Sequence, residues 1–285
     1  MSDLLTIKAP AKINLGLRVG PEDPSGYHKI NTVLQRISVY DRLDFGSSPT
    51  TEDTLEVNGP VTVPSSDENL ILRTLNRVRE NGLDLPPLSV RLRKEIPSGA
   101  GLGGGSSNAA ATLKAVTKIM EHTIDQSTLY DLADEIGSDV PFFLKQGTQL
   151  GTGRGASLRA LPDLDGEGLL CVPPYSVATE WAYSNVESRP EEELQGIIKS
   201  GSEAELSSWR ELDLTNDFEP LIARNYELHN SITETLNNMN LTWALTGSGS
   251  ALYVLFEDPD RMVDRINELT STYGECEWHS FNFIR

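Results

Sequence analysis

Five of the chain's 23 glycines crowd between Gly99 and Gly105, in the stretch PSGAGLGGGSSNAA. Glycines without a Cβ let successive backbone N–H groups converge on one ligand, and a helix starting directly after them adds the partial positive charge of its N-terminus. Phosphate is the natural guest of such a loop. The candidate contacts are Pro97, Ser98, Gly99, Ala100, Gly101, Leu102, Gly103, Gly104, Gly105, Ser106 and Ser107. Ser106 and Ser107 are expected to begin the helix, where their hydroxyls either cap it or reach a phosphate or magnesium.

The known phosphate loops narrow the choice. Gly99, Gly101 and Gly104 satisfy G-x-G-x-x-G, but a dinucleotide fold needs a buried parallel strand before the loop and another after the helix. Here Leu88 to Lys94 alternates with basic residues and a second helix follows. A Walker A loop needs lysine where Gly105 stands, and the protein-kinase H-R-D and D-F-G signatures are absent.

The elements that must position this loop follow from periodicity. From Thr6 to Val19 apolar Ile13, Leu15, Leu17 and Val19 alternate with Lys12, Asn14, Gly16 and Arg18, which predicts a half-buried strand. The turn-forming stretch Gly20 to His28 leads to a second extended run, Ile30 to Val39, making a long hairpin with Tyr27 and His28 near its loop. A helix is expected over Asp67 to Asn81, and a third strand around Leu88, Val90 and Leu92. Ala109, Leu113, Val116 and Met120 mark the helix after the loop. Leu129 to Ile136 marks the next, closed by Gly137, with Ser138 and Asp139 on a short loop before VPFFL. Beyond a boundary near Gly155 we expect a strand Leu169 to Val172 and helices Glu191 to Ile198, Ser202 to Leu212 and Glu219 to Met239. Strands around Trp243 and Ala251 to Phe256, a helix and a terminal strand complete a split α+β layer of ferredoxin type, its antiparallel sheet covered on one face. His122 and His229 read as helix-surface histidines.

Composition bounds the function. With 24 Lys plus Arg against 42 Asp plus Glu, the net charge is −18, which repels nucleic acid and anionic membrane. At physiological salt, charges beyond about 8 Å are screened, so local groups decide whether a small anion binds. The acidity itself reads as solubility or adaptation to salt. Cys171 and Cys276 form no C-x-x-C pair, and the first residues, MSDLLTIKAP, lack the pattern of a secretory signal. The expectation is a cytoplasmic protein, monomeric or weakly dimeric, without nucleic-acid or membrane partners.

The loop P-x-x-x-G-L-G-G-G-S-S-N-A-A resembles that of the GHMP kinases, the family of galactose, homoserine, mevalonate and phosphomevalonate kinases. PAKINL at Pro10, GYH at Gly26, GSDVPFF at Gly137, NDFEP at Asn216 and TGSGSA at Thr246 follow in family order and spread the resemblance over nearly the whole chain. Ser138, Ser250 and Ala251 depart from the usual residues of the family. The resemblance implies a two-domain α+β fold, with a ribosomal protein S5 domain 2-like domain at 1–157 and a ferredoxin-like domain at 158–285. It also implies ATP as phosphoryl donor, with Mg2+ carried on the nucleotide and no dedicated metal cluster. The substrate implied is a cytidine diphosphate-linked methylerythritol; another small alcohol, or a non-catalytic ATP-binding regulator, are the alternatives.

By the same resemblance Asp139 orients the reacting hydroxyl and takes its proton late, while Lys12 meets hydroxyl, γ-phosphate and Asp139 together. Taken alone, Lys12 reads as a solvated strand lysine. Asn14 shares its strand face about 7 Å away. Tyr27 and His28 are implied to hold the cytidine, Tyr183 to stack on its other face, and Thr179 is a further candidate. Thr246, Gly247, Ser248 and Gly249 are placed near phosphate or substrate, and Asn69 and Lys94 near the nucleotide.

Overall fold

A computed structural model of the chain describes residues 4–121, 124–199, 202–257 and 262–285. His122 lies outside them. The chain folds into two compact units of interleaved segments, the first formed by 1–11, 39–98 and 103–146, the second by 12–38, 99–102 and 147–285. Two long strands, β1 (Leu5–Glu22) and β2 (His28–Ser47), pair with each other and each contribute residues to both units.

In the first unit β4 (Leu88–Arg93) lies antiparallel to β2, with Leu43 opposite Leu92 and Phe45 opposite Val90. These four side chains are buried, while Arg42, Arg91 and Arg93 on the alternate positions are exposed. β3 (Thr54–Asn58) adds a parallel edge on β4. Sequence reading passed over it, although Leu55 and Val57 do alternate with Thr54, Glu56 and Asn58. Helix α1 (Leu70–Glu80) starts where Asn69 Oδ1 accepts the N–H of Ile71 at 3.0 Å, and buries Ile71, Leu75 and Val78 at helical spacing. α2 (Gly104–Ile119) buries Ala109, Ala110, Ala111 and Ala115, small side chains that let α1, α3 (Gln126–Ile136) and α4 (Val140–Leu144) pack closely around it. The segment VPFFL thus forms the helix α4.

A fully buried carboxylate ties this unit together. Asp41 Oδ1 accepts the backbone N–H groups of Glu95 and Ile96, each at 2.8 Å. Its Oδ2 accepts Lys94 Nζ at 2.7 Å and Asn108 Nδ2 at 2.8 Å. One side chain of β2 therefore fixes the approach to the glycine loop and the first turns of α2. Burial draws the Lys94 ammonium below the ordinary lysine value, and the Asp41 carboxylate opposes that shift.

In the second unit β7 (Glu167–Val172) lies between β10 (Glu277–Ile284) and β9 (Leu252–Leu255), and β8 (Thr242–Leu245) forms the edge; all pairs are antiparallel. Leu169, Cys171 and Val254 pack with Phe218 and with helix residues Ile222, Ile232, Leu236 and Leu269. These come from α6 (Glu219–Asn225), α7 (Glu227–Asn238) and α8 (Met262–Thr272). The expected ferredoxin-type arrangement is present, with one difference. Leu170 and Tyr253, on the other face of the sheet, are buried as well, and Tyr253 donates its O–H to the Asn14 carbonyl at 2.9 Å. β5 (Gln149–Gly153) pairs with β2 and with β6 (Ser157–Ala160), and α5 (Thr179–Asn185) follows β7. Among the described residues no helix is long and apolar enough to cross a membrane.

Several expectations need correction. The first strand is buried on both faces, with Lys12 and Asn14 each only 4% exposed. The helices expected over 191–198 and 202–212 reduce to single 3-10 turns at Glu191–Glu193, Glu203–Glu205 and Trp209–Glu211. Arg18 takes the carbonyls of Glu193, Gln195 and Gly196, and the side chains of Leu194 and Ile197 press on Gly20 and Gly16. These contacts hold the segment extended along β1. The helix expected over 219–239 breaks at Tyr226, whose backbone is extended and whose ring stacks on Tyr175 at 4.1 Å. His229 is fully buried, because with Ile232, Thr233 and Leu236 it completes the inward face of α7.

Replacing Asp41 with alanine strands the buried ammonium of Lys94, and we expect a loss of about 3–5 kcal/mol of stability. Urea denaturation checks this. The double variant Asp41→Ala with Lys94→Met removes the stranded charge and is expected to recover part of the loss.

Candidate active site

The glycine loop takes left-handed backbone at alternate residues. Gly99, Gly101 and Gly103 adopt φ values of +69°, +77° and +68°, with the buried Ala100 and Leu102 between them. α2 begins at Gly104, with Gly103 as its left-handed N-cap residue and no side chain capping it. Ser106 and Ser107 therefore neither begin nor cap this helix; glycine conformational freedom starts it two residues earlier. Ser107 donates its backbone N–H to the Gly103 carbonyl at 2.9 Å, and its buried hydroxyl has no hydrogen-bond partner. A buried hydroxyl in the first turn of a helix after such a loop fits a phosphate oxygen or a nucleotide-borne magnesium.

Within the second unit three of the sequence motifs lock together. Lys12 N–H donates to the Leu102 carbonyl at 3.0 Å, and Ala251 N–H to the Ala100 carbonyl at 3.3 Å. A Cβ on Gly101 would lie 2.2 Å from the Thr246 carbonyl oxygen, so only glycine fits there. Asn14 joins strand and turn: its N–H donates to Thr246 Oγ1 at 3.1 Å, and its Oδ1 accepts Gly247 N–H at 2.9 Å and Lys12 Nζ at 2.6 Å. Asn14 Nδ2 in turn donates to Thr32 Oγ1 at 2.8 Å. Asn216 holds the turn from behind, its Nδ2 donating to the carbonyls of Leu245 and Gly247, each at 2.9 Å. Asn14 therefore aims the Lys12 ammonium and fixes the turn.

At the hairpin end, Tyr27 is 55% exposed. His28 opens β2, its Nδ1 lies 2.7 Å from the Gly20 carbonyl, and its ring centroid is 5.6 Å from that of Tyr183 on α5. His28 Nε2 lies 3.3 Å from Glu22 Oε1. Tyr183 is braced edge-on by Phe218 at 4.9 Å, and Thr179 Oγ1 lies 3.4 Å from Ser248 Oγ. The structure thus brings His28 and Tyr183 into one place, and Thr179 against the 246–249 turn.

In the first unit Asp139 stands at the start of α4, partly exposed, and makes no capping hydrogen bond there. Asn69 spends its side chain on α1 and on the Pro64 carbonyl, at 2.6 Å for the latter. Lys94 is matched by Asp41, and its Nζ also donates to the Ile96 carbonyl at 2.8 Å. Asp41 and Thr32 were not singled out from the sequence; the signal available for Asp41 was a carboxylate on the strand face of Ile37, Val39, Leu43 and Phe45. Among the described residues no group of three or more His, Cys, Asp or Glu is placed to hold a metal.

Gly101→Ala forces a Cβ into the Thr246 backbone at a left-handed φ. It is expected to lower stability by about 2 kcal/mol or more and to abolish nucleotide binding. Denaturation and nucleotide titration, measured on the same preparation, check both effects.

Comparison with known proteins agrees with this geometry. Residues 69–147 match the model of the GHMP kinases N-terminal domain. The 4-diphosphocytidyl-2-C-methyl-D-erythritol kinase of Salinibacter ruber is 38% identical over 88% of this chain and 89% of its own length. That of Caldanaerobacter subterraneus subsp. tengcongensis is 32% identical over 94% of each. A crystal structure of 4-(cytidine 5'-diphospho)-2C-methyl-D-erythritol kinase superposes with a TM-score of 0.78 at 27% identity, covering 99% of this chain and 100% of that one. Homoserine kinase from Cytophaga hutchinsonii, 14% identical, shares the fold with a TM-score of 0.72 over 99% of this chain and 95% of its own. With relatives of this similarity over nearly its full length, the chain belongs to the GHMP kinase family, among the 4-diphosphocytidyl-2-C-methyl-D-erythritol kinases.

Proposed function

We propose that the chain transfers the γ-phosphoryl group of ATP to the 2-hydroxyl of 4-diphosphocytidyl-2-C-methyl-D-erythritol, giving the 2-phosphate and ADP in the non-mevalonate route to isoprenoid precursors. The observation that carries this is the shared name of relatives 32% and 38% identical over 94% and 88% of the chain. The sequence division into domains 1–157 and 158–285, a cytoplasmic location and a monomeric or weakly dimeric state belong to the same proposal.

Phosphoryl transfer asks the protein mainly for positioning and for charge to meet the spreading negative charge of the transition state. The substrate hydroxyl oxygen forms its bond to the γ-phosphorus as the bond from that phosphorus to the bridging oxygen breaks and ADP leaves. Asp139 orients this hydroxyl and receives its proton late. Lys12, aimed by Asn14, meets the developing charge. The glycine loop and the first turn of α2 hold the phosphates. Ser107 is the hydroxyl suited to a phosphate or to Mg2+, which, carried on ATP, supplies charge neutralisation. Tyr27, His28 and Tyr183 take the cytidine. The His28 imidazole, held through Nδ1 by the Gly20 carbonyl, hydrogen-bonds the edge of the base.

The test is ADP release with ATP and magnesium across the cytidyl-linked methylerythritol, homoserine, mevalonate and galactose. Release is expected with the first alone, and release with another alcohol would overturn the substrate. Asp139→Asn leaves α4 without a lost cap bond and is expected to lower kcat by about 10²- to 10⁴-fold with the fold retained. An unchanged kcat would remove Asp139 from the chemistry.

A further inference from the structure

The hairpin loop that carries Tyr27 is organised by one carboxylate. Asp23 donates its N–H to the Tyr27 carbonyl at 2.7 Å, and Gly26 donates to the Asp23 carbonyl at 2.9 Å. Asp23 Oδ1 accepts Ser25 N–H at 2.8 Å and Tyr27 N–H at 3.3 Å, and also the Ser25 hydroxyl. Its Oδ2 accepts Arg154 Nε at 3.1 Å and Nη2 at 3.0 Å, and the same Nη2 reaches Ser25 Oγ. The Ser25 hydrogen bond, foremost among these, holds the Asp23 carboxyl well below the usual carboxylate range. The carboxylate therefore stays ionised at neutral pH.

Arg154 reaches this loop from the turn between β5 and β6, where Gly155 N–H closes on the Thr152 carbonyl at 3.0 Å. β5 is itself paired to β2, with Gly153 opposite Ile30. The guanidinium is thus carried on a strand pair and laid over the Tyr27 ring, with Cζ 4.3 Å from the ring centroid. One face of the ring is covered by a cation while the residue remains 55% exposed, which leaves ring surface for a second flat group. Arg154 keeps 47% and Asp23 21% of their side chains exposed, so this ion pair adds little to folding. What it does fix is the orientation of an exposed aromatic side chain.

We propose that Arg154 is a positioning residue for recognition of the substrate's base: clamped by Asp23, it holds the Tyr27 ring ready as a stacking platform for the cytosine. This rests on the assignment of Tyr27 to the cytidine. A ring already immobilised before binding loses less freedom when the base arrives, and a cation on its far face strengthens the stack without touching the ligand. The residue acts before the chemistry, so the reacting hydroxyl and ATP are indifferent to it.

The experiment compares Arg154→Met, Arg154→Lys, Tyr27→Ala and the double variant Tyr27→Ala with Arg154→Met in the full chain. It reads kcat, KM for the cytidyl substrate, KM for ATP and the inhibition constant of CMP. Arg154→Met is expected to raise the KM for substrate and the CMP inhibition constant by about 3- to 10-fold, with kcat and the KM for ATP unchanged. Arg154→Lys, which keeps a cation over the ring, is expected to recover part of that loss. The double variant should be no worse than Tyr27→Ala alone, because Arg154 acts through the ring. If Tyr27→Ala weakens substrate and CMP but Arg154→Met does not, the proposal for Arg154 falls and the assignment of Tyr27 stands. If Tyr27→Ala changes neither constant, the assignment of Tyr27 to the base fails and takes this proposal with it. A loss in Arg154→Met that persists undiminished on top of Tyr27→Ala would mean direct contact with substrate and would overturn the positioning role, as would a parallel fall in kcat.

Discussion

Everything at the candidate site depends on two backbones lying closer than any side chain would allow. Gly101 and Thr246 are 145 residues apart in sequence, yet a Cβ on the first would sit 2.2 Å from the carbonyl oxygen of the second. Gly247 returns the constraint, since a Cβ there would lie 2.9 Å from Gly101 Cα. Such an approach leaves polar backbone groups in a buried place, and each must find a partner. Asn14 and Asn216 supply them, one from β1 and one from the residues before α6, and their amides satisfy several groups at once. The contact therefore holds only when four separated stretches of chain are all in place. Removing any one leaves unpaired groups in the others, which makes the assembly cooperative.

The same economy governs charge. The chain carries a net charge of −18 and is assigned a substrate and a donor that are both anions. Screening removes most of the long-range repulsion, and the structure deals with the short range locally. Lys94 is neutralised by Asp41 inside the first unit, so its charge goes into holding the approach to α2. In the proposed function the glycine loop meets phosphate with backbone N–H groups, without bringing a further buried ion to desolvate. Lys12 is a buried ammonium whose direction is set by the amide oxygen of Asn14.

How much of this was legible in the sequence depends on how far apart the partners lie. The helix after the glycines, the hairpin, and the strand, helix and strand series near the C-terminal end were visible because spacing within one segment decides them. The glycine loop was visible for the same reason. Lys12 was not legible as buried, because alternation alone puts it on a solvent face, and what covers that face comes from other segments. The helix expected over 191–198 failed for a related reason: its carbonyls are claimed by Arg18, which no local pattern announces. His229 is the opposite case. Its spacing to Ile232, Thr233 and Leu236 already marked the inward face of α7, and only the habit of leaving histidines on surfaces hid it.

The division between shared and particular features follows from these constraints. A homoserine kinase only 14% identical to the chain has the same fold, so the sheet and helix arrangement tolerates nearly complete change of sequence. The contact of glycine loop and 246–249 turn leaves no such latitude, because backbone proximity forbids substitution at its centre. The hairpin loop around Tyr27 sits between these extremes. Its polar groups are exposed, so changing them costs little stability, and its hydrogen bonds close on one another instead of on the core. A loop of that kind can change what it recognises while the machinery beneath it stays fixed. Discrimination among alcohols is therefore expected to reside in the segment whose alteration disturbs folding least, and the phosphate chemistry in the segment whose alteration disturbs it most.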